Sequence, residues 1–378
     1  MKVALINGIC TRHDAISNAV VAEYAHLEEK FGLDGVKFYG YGLDYPGWNN
    51  KIVQNSAQIF GDEYFLSADL VIYHFGIFYD LFNTLLIGNG RARQLVCYHN
   101  VTPKEFLGLH HHEVIDKSIM QQCNMHFADH VYCVSAFNRD CLVDIGIPKA
   151  NISVIGLPVE ITKMRKVANC VSSSILQLLF IGRVVPSKGV LDLLAALQQC
   201  LSAGCANFAL QIVGNLRFSD EAYIRDVRDF LDAHPDLAER VEFLGEVDDV
   251  AKHAALALAD ALVLPTYHEG FCVPVVEAMA AGCYVISYNN SNMSNILGAF
   301  GTLVNTGDVA ALGDAISKLC AEWQRSSQTG SEPIFTNKFR SWFRSEFVAS
   351  AHDWVEQFSP LQHKQRFTSL VEQYLPIS

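Results

Sequence analysis

The chain has 378 residues, of which 50% are hydrophobic and 18% are charged, so it is long enough for two globular domains and too apolar to be disordered. Its formal net charge is −12 with histidine neutral, which argues against nucleic acid as a partner and against broad attraction to an anionic membrane. A weak peripheral membrane contact through a local basic patch stays open, and the sequence does not indicate an oligomeric state.

The 11 cysteines are scattered through apolar runs and include no C-x-x-C pair. This pattern argues against a disulfide framework and a structural zinc site, and it favours the reducing cytoplasm. The N-terminal run MKVALINGIC is interrupted too soon for a signal peptide, and no stretch is apolar over the length of a membrane span. We therefore expect a cytoplasmic protein, and an association with the inner face of a membrane is left open.

Short apolar runs in the N-terminal half have the length of strands and alternate with helical or irregular stretches, which is typical of a parallel sheet with helices packed on it. The predicted strands are Val3–Asn7, Val36–Tyr39, Leu70–Tyr73, Leu95–Tyr98, Val131–Val134 and Asn151–Val159. An amphipathic helix is predicted from Asn18 onward, because apolar residues recur there at helical spacing. A basic and then serine-rich stretch, Ile161–Ser174, marks a domain boundary.

A glycine turn follows the first predicted strand and precedes the first predicted helix. In doubly wound folds such a turn often brings backbone N–H groups to a ligand, although the G-x-G-x-x-G dinucleotide motif is absent here. Gly8 and Ile9 are therefore candidate ligand-contacting residues, and a plain tight turn is the alternative.

Two predicted strands end in or next to a histidine, since His74 follows LVIY and His99 follows LVCY. Ligands of parallel sheets collect beyond the carboxyl ends of the strands, so both histidines are candidates for a binding site. The alternative is a strand-end histidine that bonds a backbone carbonyl.

Three consecutive histidines and a glutamate at His110–Glu113 raise the question of a metal site. Consecutive side chains point in different directions, whereas zinc sites use spaced ligands. We therefore predict no metal site there, and a solvated or acceptor-facing polar patch instead.

The C-terminal half begins with a predicted strand, Leu176–Ile181, and a turn with the sequence GRVVPSKG. Arginine can bind phosphate oxygens through two nitrogens, and lysine adds a point charge, so Gly182, Arg183 and Lys188 predict a phosphate-binding loop. The loop is not a Walker motif, because the G-x-x-x-x-G-K-[S/T] pattern is missing. A solvated loop is the alternative.

Residues 261–287 predict a strand–loop–helix–strand unit of a parallel sheet. A short apolar run, Ala261–Leu264, leads through a polar turn into a helix that Pro274 begins and Gly282 ends. The next predicted strand is Tyr284–Ser287.

Two acids are unusual in this unit. Glu269 lies in the turn, and Glu277 lies among apolar helix residues, which predicts a buried carboxylate that needs a partner. Gly270 allows a ligand close to the backbone, and the helix N-terminus near Phe271–Val273 can bind an anion. Hydroxyl-binding carboxylates beside an anion site predict a nucleotide sugar as the ligand.

The spacing of these acids, Glu269-x7-Glu277 within EGFCVPVVEAMAAG, resembles the signature of family 4 retaining glycosyltransferases. The family usually has glycine where Cys272 stands, and a small residue followed by proline where Cys283 and Tyr284 stand. Because cysteine is small, we expect the first difference to matter little. The resemblance implies an α/β protein of the GT-B architecture, in which two Rossmann-like domains face each other across a cleft.

The resemblance also implies how the chain is divided. Residues 1–160 would form an N-terminal acceptor-side domain, and residues 175–345 would form a C-terminal domain that binds the nucleotide sugar. Residues 346–378 would be a helical segment that crosses back and packs on the first domain.

The resemblance assigns roles to the candidate residues. Arg183, Lys188 and the helix N-terminus would stabilise the leaving diphosphate, Glu277 would bind the ribose, and Glu269 and His99 would bind the donor sugar. The expected donor-site residues are Gly8, Ile9, Gly182, Arg183, Lys188, Gly245, Glu246, Val247, Glu269, Gly270, Phe271, Cys272, Val273 and Glu277, of which Gly245, Glu246 and Val247 would touch the base. The residues expected to act in catalysis are His99, Glu269, Arg183 and Lys188.

The activity implied by the resemblance is retaining transfer of a hexose from a nucleotide-diphosphate sugar, GDP-mannose or a UDP-sugar, to a glycan or lipid-linked acceptor. No metal or other cofactor would be required. The string YHNVTP around His99 resembles bacterial enzymes of surface-polysaccharide synthesis. The alternatives are a nucleotide-sugar epimerase or sugar phosphorylase of the same architecture, and a non-catalytic subunit that binds a sugar nucleotide.

Overall fold

The structure is a computed structural model that describes residues 1–12, 14–162, 174–214 and 221–375. The chain forms two compact units, the first made of Met1–Pro158 with Pro360–Ser378, and the second of Val159–Ser359. Most of the stretch predicted as the domain boundary, Ile161–Ser174, lies outside the described residues.

The first unit is built on a parallel sheet whose strands alternate with helices. Its strands are β1 Val3–Ile6, β2 Ile9–Cys10, β3 Val36–Gly40, β4 Gly42–Leu43, β5 Asn50–Ile52, β6 Leu70–Phe75, β7 Arg93–Tyr98, β8 His130–Cys133 and β9 Ile152–Val154. Its helices before the linker are α1 Ala15–Phe31, α2 Ala57–Phe60, α3 Glu63–Leu66, α4 His112–Gln121 and α5 Ala136–Asp144. The strand order of the sheet in the described residues is β5-β3-β1-β6-β7-β8-β9, with β2 and β4 paired separately.

The centre of this sheet explains its sequence pattern. Every residue of β1 and β6 is buried, and a parallel strand buried on both faces is encoded as a continuous apolar run rather than an alternating one. Helix α1 begins earlier than predicted, because the Asp14 carboxylate caps it by accepting the Ser17 N–H at 2.8 Å.

The second unit has the same kind of sheet. Its strands are β10 Leu176–Ile181, β11 Phe208–Val213, β12 Val241–Gly245, β13 Ala261–Leu264, β14 Tyr284–Tyr288 and β15 Gly301–Val304, followed by the hairpin strands β16 Ile334–Thr336 and β17 Ser341–Phe343. Its helices are α6 Val190–Ser202, α7 Glu221–Ala233, α8 Pro235–Ala238, α9 Asp249–Leu258, α10 Val273–Ala280, α11 Met293–Leu297, α12 Val309–Thr329 and α13 Arg344–Val355. Within the described residues the sheet order is β12-β11-β10-β13-β14-β15, with all of its strand pairs parallel.

The C-terminal segment is shared between the units. Helix α13 stays with the second unit, where the ring centroid of Phe347 lies 5.0 Å from that of Phe335 and 5.5 Å from that of Tyr284. The last helix, α14 Pro360–Gln373, packs on α1 in the first unit. The boundary predicted at residue 346 therefore does not coincide with the division of the chain, which falls after Ser359, because the aromatic face of α13 is buried in the second unit.

None of the helices in the described parts of the chain is both long enough and apolar enough to cross a membrane.

A buried ion pair joins the central sheet of the second unit to α13. The Arg344 guanidinium lies 3.0 Å from Asp260 Oδ1, and both side chains are less than 10% exposed. The other oxygen of Asp260 accepts the Gln177 N–H at 3.0 Å, and the guanidinium lies 5.0 Å from the Trp323 ring centroid. Both charges are therefore satisfied inside the unit, as buried charges must be.

We predict that Asp260→Asn lowers the free energy of unfolding by about 3–5 kcal/mol, because it leaves the Arg344 charge buried without a counter-ion. The control is Glu346→Gln, which breaks the half-exposed pair of Arg340 with Glu346 and should cost less than about 1 kcal/mol. Urea unfolding of both variants measures the difference, and equal losses would contradict the role of the buried pair.

Candidate functional site

Two loops of the second unit meet at the carboxyl edge of its sheet. Strands β10 and β13 are neighbours although β11 and β12 lie between them in the chain, so the strand order reverses at this point. The loops that follow these strands, residues 182–189 and 265–272, therefore lie side by side. Open α/β sheets bind their ligands at such a reversal of strand order.

Direct contacts tie the two loops together. The Ser187 carbonyl accepts hydrogen bonds from the Tyr267 N–H at 2.8 Å and from Thr266 Oγ1 at 3.2 Å. Gly189 has a φ of 68°, and a Cβ at this position would lie 2.1 Å from the Pro265 carbonyl oxygen. Glycine is therefore required at residue 189 both by the backbone angle and by the close approach of the second loop.

An ion pair links the same loops through two of the predicted site residues. Lys188 Nζ lies 2.6 Å from Glu269 Oε1, and the two side chains are 18% and 13% exposed. Arg183, by contrast, is exposed, and it has no ion-pair partner among the described residues. The loop thus offers one solvent-facing cation and one cation already paired with an acid, rather than two free cations.

The backbone also connects the ends of β10, β11 and β12. The Gly182 N–H donates to the Val213 carbonyl, and the Gly214 N–H donates to the Gly245 carbonyl, both at 2.9 Å. A Cβ at Gly214 would lie 1.9 Å from the Gly182 oxygen, so these strand ends pack backbone against backbone.

The predicted base-contacting residues follow β12. Gly245 ends that strand with a φ of 69°, Glu246 is exposed, and Val247 is partly buried. They share an edge of the sheet with the two loops, but β12 is two strands away from β10. Their contact with a base stays a prediction.

Helix α10 begins at the second loop, and its first residues explain the glycine of the family signature. Cys272 caps this helix in the left-handed conformation, with φ 81° and ψ 69°. A side chain there costs about 1–2 kcal/mol relative to glycine. The expectation that cysteine matters little because it is small is therefore wrong, since the backbone angle and not the volume sets the preference.

The N-terminus of α10 is suited to an anion. The backbone N–H groups of Phe271, Cys272 and Val273 have no acceptor within the described residues, and Asn292 holds this turn by donating to the Phe271 carbonyl at 3.0 Å. Free N–H groups and the helix dipole together favour a negative ligand. Burial, with Glu269 nearby, raises the pKa of the Cys272 thiol, so it stays protonated.

Glu277 is buried on α10, as the sequence predicted, and its partner is Lys252 on α9. Lys252 Nζ lies 2.8 Å from Glu277 Oε1. Burial acts to lower the pKa of Lys252, but the negative charges of Glu277 and Asp249 outweigh it. The pKa of Lys252 is therefore raised above its usual value. The sequence did not identify Lys252 as a site residue. Its position was a signal, because it lies one helical turn before the buried Ala255 and Leu256 and therefore on the inward face of α9.

The cations of the candidate site differ in how far they are neutralised by acids. Lys188 is paired with Glu269, and Lys252 contacts both Glu277 and Asp249. Arg183 is exposed and has no ion-pair partner among the described residues, and the N-terminus of α10 adds roughly half a positive charge. These two groups are therefore the ones that favour an anion.

A second group of predicted residues lies in the first unit, at the carboxyl edge of its sheet. Gly8 follows β1, and its carbonyl accepts the Tyr41 N–H at 2.7 Å, while Ile9 belongs to the short strand β2 and is 53% exposed. A Cβ at Gly8 would make an ordinary contact with the Tyr79 ring at 3.5 Å, so glycine is not forced there. Contact of Gly8 and Ile9 with a ligand stays a prediction.

His99 follows β7 at the same edge, and its partner is a histidine rather than a backbone carbonyl. Its Nε2 atom lies 2.9 Å from Nδ1 of His74, which is fully buried in β6. The expectation that His74 lines a binding site is therefore wrong, because its side chain is fully buried and contacts His99 instead of solvent. On its other side, His74 Nε2 lies 3.1 Å from Oε2 of Glu23, a buried residue of α1.

Glu23 was missed in the sequence, yet its position gave a signal. It lies on the buried face of α1 together with Ala19, Val20, Tyr24 and Leu27. An acid at a core position of an amphipathic helix needs a buried partner.

Three residues of this region offer ligand atoms that a metal could share. Among the described residues, the ligand atoms of His74, Cys97 and His99 lie within 4.8 Å of one another. The two histidine nitrogens are 2.9 Å apart, which is a hydrogen-bond distance. Two nitrogens on one tetrahedral zinc ion are about 3.3 Å apart, so the arrangement fits a hydrogen bond better than a metal.

Residues 176–322 match the family model described as glycosyl transferases group 1. The chain is 37% identical over 148 residues to a phosphatidyl-myo-inositol mannosyltransferase of Mycobacterium leprae, covering 37% of this chain and 36% of the relative. It is 25% identical over 231 residues to an uncharacterised 41.2 kDa protein of the cps region of Klebsiella pneumoniae, covering 59% and 60%. It is 27% identical over 140 residues to O-antigen chain mannosyltransferase B of Escherichia coli, covering 35% and 34%. The matches thus span 34–60% of the length of these relatives.

Solved structures match the whole chain. Sucrose-phosphate synthase from Thermosynechococcus elongatus superposes with a TM-score of 0.73 at 17% identity, covering 98% of both chains. Anabaena HepE, in complex with UDP-glucose, superposes with a TM-score of 0.73 at 16% identity, covering 99% of this chain and 100% of that chain. At this identity the likeness concerns the fold alone. The predicted fold class, α/β of the GT-B type with two Rossmann-like units, is confirmed.

We predict that glycine and alanine have opposite orders of stability at two buried cysteine positions of the second unit. At Cys272, glycine should be more stable than alanine by about 0.5–1 kcal/mol, because only alanine keeps the left-handed strain. At Cys283, which is buried without a positive φ, alanine should be more stable than glycine by a similar amount. Urea unfolding of the four variants checks this, and the same order at both positions would contradict it.

Proposed function

We propose, on the premise that residues 176–322 belong to the glycosyl transferases group 1 family, that the protein is a retaining glycosyltransferase of family 4. It moves a hexose from a nucleotide-diphosphate sugar to a glycan or lipid-linked acceptor in bacterial polysaccharide or lipopolysaccharide synthesis. One observation carries the proposal. The cationic loop 182–189 meets the N-terminus of α10 where the sheet order of the second unit reverses.

The positive groups of this site suit the charge that develops during transfer. The bond between the anomeric carbon and the diphosphate oxygen breaks, and the acceptor hydroxyl oxygen bonds to that carbon while its proton passes to the leaving diphosphate. Arg183 can bind two phosphate oxygens, and the free N–H groups of Phe271–Val273 bind others. Preorganised donors of this kind stabilise the leaving group without reorganising.

The paired acids bind hydroxyls in this proposal. A carboxylate offers about four lone-pair sites, so Glu269 can hold Lys188 and still accept a hydrogen bond from a sugar hydroxyl. Glu277 binds the ribose hydroxyls in the same way, and Lys252 fixes its orientation. Each ion pair therefore limits the motion of a carboxylate that must meet a substrate.

The proposed donor is GDP-mannose or a UDP-sugar. Two of the partial relatives are named mannosyltransferases, which supports mannose as the transferred sugar. The proposal assigns the partly solvated end of β12 to the base, and its residues favour neither guanine nor uracil.

The direct test incubates the purified full chain with GDP-mannose or a UDP-hexose, with and without glycan and lipid extracts of bacteria. We expect one donor class to give an acceptor-dependent product, whose anomeric configuration by NMR equals that of the donor. Epimerised sugar without acceptor would favour the epimerase alternative. Donor binding without any turnover would favour a non-catalytic binding subunit.

We predict that Arg183→Ala weakens binding of the donor by at least about tenfold, or about 1.4 kcal/mol, because it removes the exposed cation of the loop. Arg325→Ala is the matched control, since Arg325 is an exposed arginine of the same unit that pairs within its own helix with Glu322. Calorimetric titration with the donor measures both, and equal affinities for the two variants would count against the diphosphate site.

We also propose that no metal ion or other cofactor is required, because arginine, lysine and the helix N-terminus supply the positive charge that a metal would otherwise provide. EDTA should therefore leave the initial rate of transfer unchanged. Loss of activity in EDTA, with recovery on adding Mg²⁺ or Mn²⁺, would show this part of the proposal to be wrong.

A further inference from the structure

A series of polar contacts in the first unit leads from the buried Tyr132 through Glu23 and His74 to His99. The Tyr132 hydroxyl donates to Glu23 Oε2 at 2.6 Å, and the same oxygen lies 3.1 Å from His74 Nε2. His74 Nδ1 lies 2.9 Å from His99 Nε2. Tyr132, Glu23 and His74 are all buried, whereas His99 is half-buried.

The Glu23 carboxylate favours one direction for the hydrogen bond between the two histidines. His74 Nε2 lies 3.1 Å from Glu23 Oε2 but outside hydrogen-bond geometry, and a proton on this nitrogen is favoured because a bare nitrogen lone pair beside a carboxylate oxygen is repelled. When each ring carries one proton, His74 Nδ1 is then the acceptor, and His99 Nε2 donates to it. The remaining nitrogen of His99, Nδ1, is left without a proton and can accept.

The backbone around His99 holds the ring in place. The His99 N–H donates to the Phe75 carbonyl at 2.8 Å, and the next residue, Asn100, has a φ of 80°. A Cβ at Gly76 would lie 3.3 Å from His99 Cβ and 2.6 Å from Ile16, so a larger residue would push against His99. Strained backbone of this kind is often found at functional sites.

The free nitrogen of His99 is placed to meet a ligand. The structure gives its Nδ1 atom no hydrogen-bond partner among the described residues, and the side chain is partly open at the carboxyl edge of the sheet. Burial, with His74 and His363 nearby, lowers the pKa of His99 well below its usual value, so the ring stays neutral. A neutral, unpaired ring nitrogen is a good acceptor for a hydroxyl.

We infer that Glu23 and His74 are positioning residues that fix the tautomer of His99, so that its Nδ1 atom accepts a hydrogen bond from a hydroxyl of a substrate sugar. The inference rests on the proposed sugar-transfer function for the identity of the ligand. The tautomer is inferred from contacts within the first unit alone.

The tautomer can be measured on the full chain without any substrate. Nitrogen-15 NMR of protein labelled at histidine, with His99→Gln to identify the signals, should show His99 protonated at Nε2 and bare at Nδ1. His99 protonated at Nδ1, or a doubly protonated His74, would overturn the inference. This measurement on the wild-type chain does not depend on the folding of a His74 variant.

A pair of variants tests whether His74 sets the tautomer. His74→Phe removes the acceptor, so both tautomers of His99 should become populated. His130→Phe is the matched control, because His130 is another buried histidine of the first unit, and its Nε2 atom lies 2.9 Å from Ser153 Oγ rather than near Glu23 or His99. We expect the control to keep the wild-type signals of His99, and an unchanged tautomer in His74→Phe would contradict the inference.

Binding and kinetics test the role of the hydroxyl. We expect His74→Phe to weaken sugar binding by about tenfold, as loss of a well-placed hydrogen bond does, and to leave the affinity for the nucleoside diphosphate alone unchanged. A higher Kd for the nucleotide sugar would identify a donor hydroxyl, and a higher KM for the acceptor alone would identify an acceptor hydroxyl. No change in either would overturn the sugar contact. A wild-type chain that binds neither nucleotide nor nucleotide sugar would instead refute the proposed function, with the tautomer still measurable.

Discussion

The Pro265 carbonyl oxygen lies so near residue 189 that no side chain fits there, and the candidate site of the second unit depends on this contact. It holds the loop after β10 against the loop after β13, and Ser187 then bonds both Thr266 and Tyr267. With the loops in this position, Lys188 Nζ lies 2.6 Å from Glu269 Oε1. A Cβ at residue 189 would separate the loops and also meet an unfavourable backbone angle.

Each unit contains a buried acid that is paired with a nitrogen base near the carboxyl edge of its sheet. Glu277 is paired with Lys252 in the second unit, and Glu23 lies beside His74 in the first. A lone buried carboxylate would be costly, so these partners are needed for stability. They also restrict the rotamers of side chains that the proposed chemistry requires to be in one position.

The sequence was most informative where local chemistry decides the structure. The central strands could be predicted because a strand buried on both faces is a continuous apolar run, and burial of Glu277 followed from its apolar neighbours. Partners such as Lys252 and Glu23 could not be identified, because they are brought together by tertiary packing. The preference for glycine at Cys272 was misjudged, since a left-handed φ is not visible in a side chain's size.

The most direct test of the central claim is a crystal structure of the full chain with a non-hydrolysable nucleotide-diphosphate sugar. The diphosphate is predicted to lie within hydrogen-bond distance of Arg183, Lys188 and the N–H groups of Phe271–Val273, where the two loops of the second unit meet. A diphosphate bound away from these groups, with the Lys188–Glu269 pair undisturbed and Arg183 in solvent, would contradict the claim.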